Sequence, residues 1–519
     1  MILFLRLRYL SIILILTSVF AVTCTHAQQT AVIPTKTGKI SGVRSADGQI
    51  LSFKGIPYAA PPVGALRWKA PQPVEKWTGI KNCTKFSASP MQPKPAPFSM
   101  WSSEFLIPEE PISEDCLYLN VWTGNKQTGN KKPVLVWIYG GGFSSGGSAC
   151  PIYDGEALAR KGIVVVSFNY RVGIFGFFAH PDLSMTGEKS GNFGLLDQIA
   201  ALKWVKENIS AFGGDPAQVT IAGQSAGSMS VNALVASPLA AGLFNKAIGQ
   251  SGANFISSNP TKEMAESEVR LTLNSLGSAK LEDLRKMDAA TLMAKGNGMR
   301  RPYIDGYVLP DQISSIFAGG NQNKVALLHG WNEDEGLVFG GIKNATDFVN
   351  DLRKNYGRNA DFLIGAYRAA NDTEAAQAQL DIARDQVFGM QGYLWLKAQV
   401  KQQLPAYGYR FTRIVPAEGE YKKFKAFHTG EVPYAFNNLR FVNRPWKESD
   451  HQLAETMSGY WVNFVKTGNP NGKGLPPWPT YQNNEKQIII LDEKISNKPM
   501  PDAERLDLLW KIMQAGKPN

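Results

Sequence analysis

Between them, the stretches Pro133-Val-Leu-Val-Trp-Ile138 and Ile163-Val-Val-Val-Ser-Phe168 offer one indole N–H and one hydroxyl as polar side-chain groups. A strand with one wet face alternates polar and apolar positions, so runs that are apolar throughout must be covered on both sides. After them the period changes. Residues 197–209 place apolar side chains at helical spacing, and residues 226–237 read as a helix stopped before Pro238. Residues 218–222, 246–249, 324–328, 407–412 and 487–491 repeat the short strand pattern. Buried strands alternating with helices predict an α/β fold, a large, mostly parallel sheet with helices on both faces. In such sheets ligands collect beyond the carboxyl ends of the strands.

A length of 519 residues with 44% hydrophobic and 19% charged residues suits one large globular unit. No repeat of 20 to 50 residues is visible, which argues against a solenoid or propeller. Residues 1–27 stand apart. Arg6 and Arg8 precede an apolar run too short for a comfortable membrane span, and Thr25-His26-Ala27 fits a cleavage site. They are expected to be a secretory leader cut after Ala27, with residues 28–519 as a single domain that is exported. Lipid anchoring at Cys24 is the less favoured alternative, because "AVTC" lacks a large aliphatic residue three places upstream. No later segment is apolar enough to be a transmembrane span. The net charge of +11 falls to +9 without the leader's two arginines. Its cations are scattered, and no nucleic-acid motif accompanies them. Beyond the leader stand Cys83, Cys116 and Cys150. Cys83 and Cys116 bracket a Pro-rich stretch without helix or strand pattern, and a disulfide between them is expected to tether it. Cys150 is then a buried free thiol.

Gly-x-Ser-x-Gly occurs in "GQSAG" around Ser225 and in "GFSSG" around Ser144, and "GQSGA" around Ser251 nearly fits. Context separates them. Ser225 follows a strand and precedes a helix, so the turn exposes its hydroxyl and the helix N-terminus offers N–H groups to an oxyanion. Ser144 is followed by more glycines and Pro151, and Ser251 by irregular sequence. Gly140-Gly141-Gly142 leaves another core strand and can present further backbone donors.

A serine nucleophile needs a base, and the base an orienting acid. In this architecture the order is serine, acid, histidine, which leaves His329, His428 and His451. His451 sits in a helical pattern as a packed residue, and His329 ends a strand in a structural position. His428 lies on a Gly-flanked loop after a strand and is the favoured base. For the acid, "LLHGWNEDEGLVF" offers Glu333, Asp334 and Glu335, and residue physics alone does not choose among them.

The chain resembles the type-B carboxylesterase and cholinesterase family of α/β-hydrolases, the bacterial para-nitrobenzyl esterase-like members included. The resemblance runs through "FKGIPYAAPPVGALRW", "SEDCLYLNVW", "VWIYGGGF", "VVSFNYRVGIFGF", "GNFGLLDQIAALKWVKENISAFGGDPAQVTIAGQSAGSMS", "LFNKAIGQSG", "NEDEG", "HTGEVPYAF" and "YWVNFVKTGNPN". It implies an α/β-hydrolase fold and a serine esterase with Ser225 as nucleophile, Glu335 as acid and His428 as base. Gly141, Gly142 and Ala226 correspond to the oxyanion donors, and Ser251 to a second-shell serine near the acid. Cys83 and Cys116 correspond to the family's first disulfide, and Arg67–Glu114 and Arg171–Asp197 to internal ion pairs. The implied acyl-enzyme chemistry calls for neither metal nor organic cofactor.

The partner implied is a small-molecule ester. A choline-binding aromatic on the loop before Cys116 has no clear counterpart; Trp101 is the one Trp there. Val338 and Phe339 follow the acid, where acyl-pocket residues are expected. A broad carboxylesterase for short-chain or aryl esters fits best. The rival within hydrolases removes acetyl or aromatic acyl groups from plant or glycan polymers. The rival of another class is a non-catalytic, cholinesterase-like binding protein, whose signature would be a replaced serine, acid or histidine. Oligomeric state is open.

Overall fold

A computed structural model describes residues 31–125, 131–255, 259–278, 280–296, 301–339 and 341–515. The expected leader, with Cys24 and Ala27, lies outside the described residues. At the centre of a 13-stranded sheet run β1 (Lys132–Ile138), β2 (Val164–Phe168), β3 (Gly214–Gln224), β4 (Lys246–Gln250), β5 (Ala326–Asn332), β6 (Ala406–Phe411) and β7 (Gln487–Leu491). These are parallel neighbours in the order β2-β1-β3-β4-β5-β6-β7. Antiparallel strands extend both edges: Tyr118–Gly124 on β2, then Ile50–Pro57, Lys39–Arg44 and Ala31–Pro34, and Ser496–Pro499 on β7.

Every residue of β2, β4 and β6 is buried, as covered faces require. The chain moves from β1 outward to β2 and then returns across β1 to β3. That reversal opens a crevice at the carboxyl ends of β1 and β3. Helix α1 (Phe193–Asn208) joins β2 to β3, and α2 (Ala226–Ala236) follows β3. In α2 every residue except Met229 is buried, and its run of Ala, Gly and Ser lets the backbone approach the sheet closely.

Both expected ion pairs form. Arg171 donates to both carboxylate oxygens of Asp197, at 2.8 and 2.7 Å, deep in the core. Arg67 Nε lies 2.7 Å from Glu114 Oε2.

The Cys83–Cys116 disulfide does not form: both cysteines, like Cys150, are buried free thiols. Cys83 exchanges backbone bonds with Ser41 and Lys54, whereas Tyr58 N–H donates to the carbonyl of Leu117, next to Cys116. Lys54 and Tyr58 stand on either side of a register shift in one strand, so the two cysteines are held at different points along it. Burial pushes the Cys83 thiol up to about 11. The Pro-rich stretch is tied down by hydrogen bonds instead. Gln92 pairs with both backbone groups of Gly146 at 2.7 and 2.8 Å, and Asn169 Nδ2 donates to Ala88 O at 2.9 Å. His451 is also corrected: it lies on the helix Glu448–Thr467, but its side chain is exposed rather than packed. Among the described residues, no helix is long and apolar enough to cross a membrane.

Candidate active site

Two turns meet in the crevice. β3 ends at Gln224 and α2 begins at Ala226, so Ser225 alone makes the corner, at φ 58° and ψ −125°. A non-glycine residue at positive φ persists where its surroundings hold it. Here Ser225 N–H donates to Gln250 O of β4 at 2.8 Å, and Ser225 O accepts from Met229 N–H at 2.9 Å. The helix can begin so abruptly because Gly227 has no side chain. A Cβ there would lie 2.0 Å from Ile138 O, and one on Gly223 would lie 2.5 Å from the Gly227 carbonyl.

Gly140–Gly142 leave β1 against this corner; a Cβ on Gly140 would sit 2.9 Å from Ser225 Cβ. Gly141 and Gly142 adopt φ of 111° and 60°. Among the described residues, the N–H groups of Gly141, Gly142 and Ala226 donate to no protein acceptor. With the positive end of α2 beside them, they suit a developing negative oxygen. Ser144, the centre of the other match, also lines the cavity, but it donates its hydroxyl to Gly141 O at 3.3 Å.

Of the three acids that residue physics left open, the structure brings one to His428. Glu333 is engaged by Arg384 at 3.0 Å and Arg410 at 2.9 Å. Although burial pushes the other way, these two guanidinium groups hold its carboxyl below the usual range. Asp334 accepts from Ala426 N–H at 3.1 Å, and burial raises its carboxyl. Glu335, fully buried just past β5, places Oε1 2.8 Å from His428 Nδ1. His428 is itself buried, stacked on Phe388 with ring centroids 4.6 Å apart and met edge-on by Trp101 at 6.2 Å. The indole of Trp101 donates to Thr429 Oγ1 at 3.1 Å. Gln224 Nε2 lies 3.1 Å from Nε2 and 3.4 Å from Nδ1 of His428, over the ring rather than beside one nitrogen. No hydrogen bond joins Ser225 to His428 here.

Ser251 is buried at the end of β4, but neither its hydroxyl nor Glu335 Oε2 makes a hydrogen bond, so the two are not bonded to each other. His329 is buried in β5, where burial pushes its imidazole down to about 3, and it stays apart from the cavity. Two carboxyl-site neighbours escaped the sequence reading. Glu431, three residues after His428, accepts from Gln250 at 3.0 Å and Asn332 at 2.6 Å. Burial, with Glu335 nearby, pushes its carboxyl up to about 7. Gln224 stood next to the serine in plain view, but nothing in its neighbours along the chain showed that it faces His428.

Ser225, His428, Gly141, Gly142 and Ala226 all line one cavity of about 710 Å³, a size that suits a small organic ligand. Its walls are largely apolar, with Trp101, Phe105, Ile107, Met229, Val338 and Phe388 among them. The Phe339 side chain lies outside the described residues. The arrangement presents a serine on a strained corner, a carboxylate-tethered imidazole and a cluster of unengaged N–H donors, the parts that acyl transfer requires.

Known proteins share both the sequence and the frame. The chain matches the carboxylesterase family over residues 29–509. It is 38% identical to the fumonisin B1 esterase of Sphingopyxis macrogoltabida, over 86% of this chain and 84% of that one. It is 36% identical to the para-nitrobenzyl esterase of Bacillus subtilis, over 92% and 98%, and 33% identical to the human cocaine esterase, over 88% and 87%. A solved structure of a PNB esterase superposes with a TM-score of 0.81 at 35% identity, covering 93% of this chain and 99% of that one. By sequence over nearly its whole length and by fold, this chain belongs to the carboxylesterase family, α/β-hydrolases that cleave carboxylic esters.

Proposed function

We propose that this protein is a serine carboxylesterase for small, largely apolar esters, with Ser225, His428 and Glu335 as its triad. The observation that carries the reading is the buried 2.8 Å contact from His428 Nδ1 to Glu335 Oε1, beside a cavity shared with Ser225 and the oxyanion donors. A carboxylate accepts, so Nδ1 bears the proton and Nε2 is the basic nitrogen. As Ser225 Oγ attacks the ester carbonyl, His428 Nε2 takes its proton. The tetrahedral oxygen is received by the N–H groups of Gly141, Gly142 and Ala226. The imidazolium then protonates the departing alkoxide, leaving an acyl-serine. Water, deprotonated by His428, attacks that ester and the acid is released with Ser225 reprotonated.

An apolar, aromatic-walled cavity favours aryl and short-chain acyl groups. Relatives named for para-nitrobenzyl, fumonisin B1 and cocaine esterases support a permissive pocket over a single-substrate one. The same reading takes residues 28–519 as one catalytic unit behind an export leader, supported by the family match over residues 29–509. The test is hydrolysis of p-nitrophenyl acetate and butyrate by wild type and Ser225→Ala, each also treated with an organophosphonate and weighed intact. Turnover and a single adduct in wild type, both lost in Ser225→Ala, are expected. A folded wild type with neither turnover nor adduct overturns the proposal and favours a binding protein.

A further inference from the structure

The mechanism above places a positive charge on His428 in each half of the turnover, yet assigns nothing to the faces of its ring. Glu335 meets the imidazole at its edge, through Nδ1. One face lies against Phe388, with ring centroids 4.6 Å apart and the planes 25° from parallel. Both side chains are buried, His428 at 3% and Phe388 at 4% exposure. The face of an aromatic ring carries the negative part of its quadrupole, so a cation within about 6 Å is stabilised, the more so where water is excluded. The backbone that presents Phe388 is itself unusual. Asp385–Gly389 is a single π-helical turn between the helices Asp372–Arg384 and Met390–Lys401. Such a turn takes in an extra residue and is found most often at functional sites. Its start is pinned by Asp385, which accepts from Arg384 Nε at 2.8 Å and from the Tyr367 hydroxyl at 3.0 Å.

Resting on the triad reading, we propose that Phe388 is a positioning residue for His428, holding the plane of the imidazole and stabilising the imidazolium through its ring face. The Oγ–H bond of Ser225 breaks as an N–H bond forms at Nε2, and the charge so created spreads over a ring that lies on Phe388. It is discharged when Nε2–H protonates the alkoxide, and it forms again when water attacks the acyl-serine. An attraction present only while the ring is charged lowers the barrier without tightening the ground state. Glu335 at Nδ1 and Glu431 beside it act in the same direction from the edge. The other charged groups around the site are paired: Lys94 with Glu109 and Glu110, Asp334 with Lys425, Asp385 with Arg384. The Gln224 amide over the ring is neutral. Burial keeps Tyr153 and Cys150 in the cavity wall protonated, the thiol pushed up to about 12. Phe388 thus favours the cation without bringing a charge of its own into an apolar wall.

The experiment compares pH profiles of kcat and kcat/KM for p-nitrophenyl butyrate in wild type, in Phe388→Leu and in protein carrying pentafluorophenylalanine at position 388. Leucine removes the ring face. The fluorinated ring nearly keeps the shape and reverses the sign of that face, so a role in packing alone would survive it. In both, the acid limb should move downward by about half a pH unit or more, since the charged form of the base loses support. Plateau kcat should fall at least about threefold, the same free energy expressed as a rate. Organophosphonate labelling of Ser225 should still reach one adduct per chain. Should Phe388→Leu not fold, the fluorinated protein alone carries the comparison. An unmoved or raised limb in the fluorinated protein, whatever its rate, overturns the proposal and leaves the triad standing, with Phe388 as wall and packing. An inert wild type that also fails to label overturns the triad reading and, with it, this one.

Discussion

On one side of the cavity, the turns after β1 and β3 are fixed by backbone packed on backbone; on the other, the loops bearing Glu335 and His428 are fixed by charges and hydrogen bonds. The Gly223–Gly227 corner and the Gly140–Gly142 loop approach so closely that added carbon atoms would overlap main-chain atoms. The Glu335 loop, by contrast, is preceded by Glu333, which is gripped by Arg384 and Arg410. Arg384 also holds Asp385, where the turn Asp385–Gly389 begins, and that turn carries Phe388 onto His428. A sterically fixed region should fail abruptly and independently of pH. An electrostatically fixed one should fail by degrees, with charge and pH as the levers.

The sharpest break is expected at Gly227→Ala. A methyl group 2.0 Å from Ile138 O has no room, so the start of α2 must shift and carry Ala226 N–H away from the proposed oxyanion position. Loss of one such donor lowers kcat by about 10²–10³, and the loss should be equal across the pH range. A pH–kcat profile of the folded variant checks this; a fall below tenfold would show that the corner has slack.

Arg384→Met should do its damage to stability first. Arg384 is 1% exposed and contacts Glu333, Asp381, Asp385 and Asp502. Removing it strands buried carboxylates, a cost of roughly 3–5 kcal/mol, read as a lower urea midpoint. At temperatures where the variant stays folded, kcat should also fall, because Glu333 and Asp385 are freed. Unchanged kcat in folded Arg384→Met would separate the ion cluster from the site.

This contrast also explains what the sequence made legible. The corner at Ser225 is local: strand, turn, glycines and helix lie within residues 214–236, so period and composition reveal them. The ion cluster draws on Glu333, Arg384, Asp385, Arg410, Asp502 and Arg505, and no local pattern brings such distant positions together. For the same reason, Glu335 was singled out from Glu333 and Asp334 by family resemblance alone; in the structure, arginines and a backbone N–H engage the other two, while Glu335 meets His428. The antiparallel strands at residues 31–57 went unread because burial in Lys39–Arg44 and Ile50–Pro57 does not alternate, and Ala31–Pro34, which does, is only four residues long. The disulfide was misread because a Pro-rich loop suggests a covalent tether, whereas Gln92 and Asn169 do the holding.

Glu431→Gln probes the charged side more gently. Burial first, and the neighbouring Glu335 second, raise the Glu431 carboxyl to about 7. The folded state therefore binds a proton that the unfolded state has already released. The resulting stability is fully present below the unfolded value near 4.5 and is lost as pH rises to about 7, a fall of roughly 3 kcal/mol. Urea midpoints of wild type should decline across that window, and Glu431→Gln, which cannot ionise, should flatten the decline. Parallel curves for the two proteins would mean that Glu431 ionises freely.

The smallest effect is expected where the two regions touch. Trp101, on the Pro-rich stretch, sits edge-on to His428 and donates to Thr429 Oγ1 at 3.1 Å. Trp101→Phe keeps an aromatic edge for the imidazole and removes one hydrogen bond, worth about 1 kcal/mol. Thr429 holds its backbone at φ 84°, so the lost contact loosens the residue after His428 rather than the corner at Ser225. KM for p-nitrophenyl butyrate should rise by a few-fold as the cavity wall relaxes, while organophosphonate labelling of Ser225 stays complete. If labelling slowed as much as turnover, the Pro-rich stretch would be holding Ser225 itself in place, and the division between a steric and an electrostatic side would fail at their shared edge.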